Sequence, residues 1–270
     1  SPENFQPFIL ISVLMSLALL PILLTKRKPP TFKKIKSMSL KELYSSSPLG
    51  MVSSIFYGTI QSALFTLLAV YAAAMNFSIF DISLVTFMLG ISGAISQYPI
   101  GYISDKFDRR KVIIYSTFGA AIFALFAIFS GGTMYLPEGL GSSKFWFYFF
   151  LIAFSMCSLP MFSLILAHTN DFITRDKFVA AGASLQFAFG LGAISGPFLC
   201  SLFMGLVGNN GFFVFLIIFH CLIGVFAIYR MKIRPSEENP DSQFVAVPTT
   251  ITPVGMELNP TTEPIEEPEK

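Results

Sequence analysis

Seven stretches of about 20 mostly apolar residues constrain this chain more tightly than any other feature. They run at roughly 5–25, 50–75, 82–103, 112–131, 145–168, 178–207 and 211–231. About 20 apolar residues is the length of α-helix that crosses the hydrocarbon core of a bilayer. Polar, Gly or Pro punctuation separates the stretches, as in Lys26-Arg27-Lys28-Pro29-Pro30 and Gly208-Asn209-Asn210-Gly211. None keeps the period-two alternation of a strand. In lipid a helix satisfies its own backbone polar groups, whereas loops and open sheet edges do not. Composition agrees: 53% of residues are hydrophobic and only 13% charged, against roughly 25% charged in a soluble domain. The predicted fold class is therefore all-α, a polytopic membrane protein with seven transmembrane helices and the lipid bilayer as its main partner.

The basic residues are clustered. Of 18 Lys and Arg, seven lie between Lys26 and Lys41 and four between Lys106 and Lys111. Taken in order, the segments between spans alternate between basic and nearly free of Lys and Arg, and the tail opens with Arg230, Lys232 and Arg234. By the positive-inside rule this places the N-terminus outside and the C-terminus in the cytoplasm, the orientation expected in a bacterial inner (plasma) membrane. Each basic cluster abuts an apolar span, so topology explains it and nucleic acid is not an expected partner. The first span has its basic flank after it, opposite to a signal peptide. Because the chain opens with Ser1, an upstream neighbour is expected. Residues 232–270, with seven prolines from Pro235 to Pro268, read as a disordered cytoplasmic tail. Residues 39–44 of the long basic loop read as a short amphipathic helix on the inner leaflet.

Several chemistries find no support. The acids, lysines and arginines fall outside the spans or at their ends, so no buried ionisable group marks a proton relay. Cys157, Cys200 and Cys221 lie inside apolar runs, an odd number suited neither to a disulfide framework nor to zinc. There is no phosphate loop for ATP, and no nucleophile–base pair to suggest an enzyme. No cofactor or metal is expected. His220 reads as a hydrogen-bonded packing residue.

One motif stands out: Gly101, Asp105, Lys106, Asp108, Arg109, Arg110 and Lys111, in the short loop between the third and fourth spans. Gly101 permits a close helix approach, and Asp105 at a helix end needs a cationic partner. An ordinary positive-inside loop is the plainer alternative. In its Gly–Asp–basic spacing the segment resembles the signature of the major facilitator superfamily, where it gates conformational change. The family usually has Gly where this chain has Asp108, so a tight turn there would place Asp in the left-handed region. A second motif, Gly190, Gly192, Gly196 and Pro197, is similar to a Gly-rich pattern in the fifth helix of each six-helix half of that family. It reads either as helix packing or as a hinge.

The resemblance implies an organisation. Residues 1–25 would be the last helix of an N-terminal half, 26–49 the linker between halves, 50–231 the C-terminal six-helix half, and 232–270 the tail. The segments 40–50 and 244–260 resemble a YcaD-type bacterial subgroup. The implied function is secondary transport of a small solute by alternating access, with the missing N-terminal half as partner. Polar residues inside the spans, Tyr57, Gln61, Gln97 and Gln186, are candidates for the substrate path or for interhelical hydrogen bonding. The alternatives are a seven-helix receptor or sensor, and a non-transporting membrane scaffold acting through its tail.

Overall fold

The computed structural model describes residues 5–20, 24, 38–130, 143–233, 244–252 and 255–256. The chain forms two compact units, one of residues 1–35 with 265–270 and one of residues 36–264. The described part of the first unit is α1, Gln6–Ala18, 13 residues long with Pro7 in its first turn. At 1.5 Å per residue it covers about 20 Å, short of the roughly 30 Å hydrocarbon core. Of the rest of the span expected at 5–25, residues 21–23 and 25 lie outside the described residues. Six segments, not seven, are long and apolar enough to cross a membrane among the described residues.

The second unit holds α2 (Leu40–Ser46), α3 (Pro48–Ala74), α4 (Ile79–Lys106), α5 (Arg109–Ser130), α6 (Ser143–Ser158), α7 (Met161–Asn170), a 3-10 turn (Arg175–Lys177), α8 (Phe178–Val207) and α9 (Gly211–Ile233). No strand occurs among the described residues. Local sequence explains several boundaries. Ser39 caps α2 by accepting from the Glu42 N–H, and Ser47 caps α3 ahead of Pro48 at the first helical position. Ser78 and Asp81 form a reciprocal capping box at the start of α4. Gly208, at φ +79°, ends α8 in a conformation that L side chains rarely adopt.

The span expected at 145–168 is divided. Helix α6 ends at Ser158 and α7 begins at Met161, with Leu159 and Pro160 in a turn between them. Proline supplies no N–H and its ring crowds the preceding turn, so the break falls there.

With α6 and α7 counted as one divided span, the six spans run alternately up and down, and polar contacts fix their ends. One end gathers the start of α3, the end of α4, the start of α5, the ends of α7 and α9 and the start of α8; we call it the basic end. At the other end Lys144 Nζ and Tyr148 Oη lie 3.0 and 2.8 Å from the Asp81 carboxylate, joining α6 to α4. Nearby, Tyr71 stacks on Phe212 and meets Phe213 edge-on, with ring centroids 5.3 and 5.0 Å apart.

The most extensive helix contact joins α3 to α8, and it is a seam of small residues. A Cβ added at Gly58 would fall on the Phe189 carbonyl, one at Gly192 on the Ile55 carbonyl, and one at Gly196 on the Ser62 hydroxyl and the Thr59 carbonyl. Backbones meet directly, as small residues allow in membrane helices. Hydroxyls stitch the same seam: Ser54 Oγ donates to the Leu185 carbonyl at 2.8 Å and Thr59 Oγ1 to the Gly192 carbonyl at 3.2 Å.

Two flanking segments depart from expectation. The short helix α2 buries Leu43 completely against the bundle, beside Met38 at 8% exposure. Its N-terminal end is tied there by Lys177 Nζ to Glu42 Oε1 at 3.0 Å and by Ser184 Oγ to the Met38 carbonyl at 2.6 Å. The apolar face expected on the inner leaflet is thus spent on protein contacts. Residues 244–252, expected as part of a solvated tail, also pack on the bundle, with Val247 buried. The tail's apolar residues are few but grouped, which a reading based on its prolines and acids passes over.

Candidate functional site

The motif residues converge at the basic end in a charge network. Asp105 sits in the last turn of α4 and Arg109 in the first turn of α5, four residues on. Arg109 Nη2 donates to Asp105 Oδ1 at 2.7 Å, and Arg109 Nη1 to Asp171 Oδ1 just past α7. Nη1 also lies 3.3 Å from the Ala167 carbonyl. The Arg109 side chain is 8% exposed, Asp171 11% and Asp105 37%. One guanidinium thus fastens the α4–α5 loop to the α7 terminus. The planar fork of Arg suits this task, because it reaches two carboxylates at once in a fixed geometry.

Arg110 has a separate partner. Its Nε and Nη2 donate to the two oxygens of Asp108 at 3.0 and 2.7 Å, and its backbone N–H donates to Asp108 Oδ1 at 3.0 Å. Asp108 therefore caps the entry to α5 with its side chain. No described residue except Asn76 and Gly208 has positive φ, so the left-handed turn expected at Asp108 does not form. The turn runs instead through an extended Phe107. Burial opposes ionisation of Asp108 most strongly. The hydrogen bonds from the Arg110 side chain and N–H, and the nearby charges of Arg110 and His168, outweigh it and hold the carboxyl below the usual range. Lys106 faces outward, bonded to the Tyr102 hydroxyl with its ammonium 4.1 Å from that ring's centroid. Gly101 does not serve a helix–helix approach. A Cβ there would meet the ring of Phe244 from the tail segment.

A cleft beside the network is lined by Ser47, Pro48, Arg110, His168, Phe172 and Arg230, among others. It brings the starts of α3 and α5 together with the ends of α7 and α9.

Of the second motif, Gly192 and Gly196 lie in the α3–α8 seam, whereas a Cβ added at Gly190 would meet nothing within 4 Å. Pro197 lies inside α8, which continues from Phe178 to Val207.

The expected substrate-path residues separate. Tyr57 is fully buried, donates to the Leu159 carbonyl at 3.2 Å and packs on Phe189. It thereby ties α3 to the α6–α7 break. Gln61, one turn on, has a buried Oε1 with no hydrogen-bond partner among the described residues. Gln97 is half-buried in α4. The Gln186 side-chain amide donates to the Thr249 carbonyl of the tail segment. Sequence reasoning misses Pro160 and Asp171. A proline in the middle of an apolar stretch is the available signal for the first. For the second it is an acid at the same end as the basic loop. His220 is bonded on both sides: Nδ1 lies 2.7 Å from the Leu216 carbonyl and Nε2 3.0 Å from Ser158 Oγ. A carbonyl can only accept, so Nδ1 carries the proton and Nε2 accepts from Ser158.

The sequence matches the family model described as the Major Facilitator Superfamily over residues 5–133 and 49–260. The chain is 23% identical over 239 residues to an uncharacterized MFS-type transporter of Yersinia enterocolitica, covering 88% of this chain and 57% of that protein. It is 24% identical to the uncharacterized MFS-type transporter YfkF of Bacillus subtilis over 66% of this chain and 44% of the relative. For the uncharacterized MFS-type transporter YcaD of Escherichia fergusonii the identity is 21%, over 76% and 50%. The chain spans about half the length of the curated relatives it matches. No solved structure matches it. The chain belongs to the major facilitator superfamily.

Proposed function

We propose that this member of the major facilitator superfamily is the C-terminal half, with one preceding helix, of a secondary transporter that moves a small solute by alternating access. In such proteins two halves rock around a site near the bilayer midplane. Apolar stripes are left exposed on several helices of the bundle, α9 with Ile218, Leu222, Val225, Tyr229 and Ile233 among them; those of α4 and α8 support the reading. On α4 they are Phe87, Ile91, Ile95, Tyr98 and Tyr102, and on α8 Phe187, Leu191, Ile194, Phe198 and Leu202. Spacings of three and four place each set on one helix face. In a chain half the length of its relatives, these faces suit a missing first half. The basic end is then the cytoplasmic one, by its Lys and Arg content.

On this reading the Arg109 network is a latch that keeps the α4–α5 loop on α7, and Gln61 is the strongest candidate for contact with a polar solute. Its buried, unpartnered Oε1 has the character of a group awaiting a donor. The acids of the described helices sit at helix ends, so any proton-coupling carboxylate is expected in the first half. A receptor or a scaffold gains no specific support.

The test is the mass of the native product, by immunoblot of source membranes with an antibody to residues 263–270. A band well above 29.8 kDa supports a longer transporter, in which Gln61→Leu should abolish solute uptake without reducing membrane insertion. A band at 29.8 kDa, with no co-purifying first half, overturns the proposal.

A further inference from the structure

Residues 244–252 cross the basic end of the bundle and meet a different helix at each step. The Phe244 N–H donates to Asp105 Oδ1 of α4 at 2.9 Å, and the Phe244 ring fills the notch left by Gly101 one turn earlier. Val247 is 5% exposed. Its N–H donates to Ser163 Oγ of α7 at 3.1 Å, and its carbonyl lies 3.3 Å from the same hydroxyl. The Gln186 amide of α8 donates to the Thr249 carbonyl. A turn closed by the Ile251 N–H on the Pro248 carbonyl, 3.1 Å, follows. Beyond it Met256, 3% exposed, occupies the place where a Cβ on Gly182 of α8 would stand.

The sequence of the segment fits this seat. From Phe244 to Met256 there is no charged residue, whereas Glu237, Glu238 and Asp241 precede it and Glu257 follows. A segment meant only to be solvated has no need of an uncharged island with an aromatic, a valine and a methionine spaced to meet three helices.

We propose that α4, α7 and α8 form a binding groove at the basic end for an extended, uncharged peptide, and that its ligand is this chain's own residues 244–252 with Met256, which strap the three helices together. The groove specifies such a ligand. Gly101 leaves room for an aromatic ring, and Gly182 for a flexible apolar chain. Ser163 offers one hydroxyl that serves both backbone groups of a single residue, and Gln186 offers a donor for a carbonyl. Asp105 is shared between the Arg109 guanidinium and the strap's first amide, so the strap and the motif network have a carboxylate in common. A motion that parts α4 from α8 at this end has to release the strap. This inference does not depend on the transport reading.

Ten residues, 234–243, tether the strap to the end of α9. Tethers this short give effective concentrations on the order of millimolar, so the attached segment should outcompete the same peptide added at micromolar concentration. The experiment uses a fluorescent synthetic peptide of residues 244–256 and the chain in lipid nanodiscs, read by anisotropy. The chain ending at Ile233 should bind the peptide saturably, and a scrambled peptide should not bind. The full chain should bind at least about tenfold more weakly, because its groove is filled. The full chain carrying Val247→Asp should regain binding, since the groove is intact and only the attached ligand is weakened; this variant decides the matter should the shortened chain aggregate. Failure of both variants to bind, equal binding by the unaltered full chain, or equal binding of the scrambled peptide would each overturn the proposal.

Discussion

Replacing Arg109 by alanine tests whether one guanidinium holds the α4–α5 loop on α7. Asp171 is 11% exposed and Arg109 8%, so the substitution removes the guanidinium from a largely buried carboxylate. Breaking one side of a buried pair costs about 3–5 kcal/mol. The partial exposure of Asp171 puts the expectation near the lower figure, about 3 kcal/mol. Asp105 is 37% exposed, where an ion pair contributes about 0–1 kcal/mol, so Asp105→Asn should cost no more than about 1 kcal/mol. For a chain of this size about 3 kcal/mol corresponds to a drop of roughly 6–12 °C in Tm. Intrinsic fluorescence of the purified protein in nanodiscs measures it. Asp171→Asn on the Arg109→Ala background should then recover part of the loss, because it removes the charge that the guanidinium had balanced. The coupling in that cycle should be about 1–2 kcal/mol. The reasoning is refuted if Arg109→Ala and Asp105→Asn cost the same, or if Asp171→Asn adds its full effect to that of Arg109→Ala.

Other expectations follow from neighbouring features. Gly192→Leu should prevent stable folding, because its side chain would enter the Ile55 backbone, whereas Gly190→Ala, with open space around it, should be neutral or stabilising by up to about 1 kcal/mol; thermal unfolding of the two variants separates them. Tyr57→Phe removes the hydrogen bond to the Leu159 carbonyl while keeping the ring, and should lower stability by about 1 kcal/mol. The carboxyl of Asp108 is depressed in the folded chain. Its contribution is therefore present above the unfolded carboxyl value, about 3.9, and is lost as pH falls through the lower folded value. Below about pH 4, Asp108→Asn should show a shallower loss of Tm with pH than the unaltered chain, measured in parallel titrations.

Much of the architecture is legible because the bilayer imposes it. A run such as 211–231 has one way to satisfy its backbone in lipid, and the helix there, Gly211–Ile233, matches it within a few residues. The motif loop is legible for a similar reason: Asp105 and the basic residues after it have to find each other at one helix end. Distant partners are what local pattern does not disclose. Nothing near Arg109 in the chain points to Asp171, which reaches it only because α7 ends at the same level. Gly101 reads as a site of helix approach and instead receives a ring from 143 positions away, Phe244. Gln186 reads as either a lining or a hydrogen-bonding residue, and its acceptor proves to be the Thr249 carbonyl, beyond the last span. Local pattern reports which residues need a partner; only the packed chain reports which partner arrives. The first expected span, with its 13-residue α1, is the least specified element.

The glycine seam between α3 and α8 has a mechanical consequence. Where backbones touch without side chains between them, there is no compliant layer to take up sliding, and the hydroxyls of Ser54 and Thr59 fix the register. The two helices therefore behave as one stiff member, a keel to which the more loosely joined helices are hung. A spectroscopic label on the exposed side of either helix reports the displacement of both. A pair of labels placed one on each should keep a constant separation through any cycle of motion that the other helices undergo.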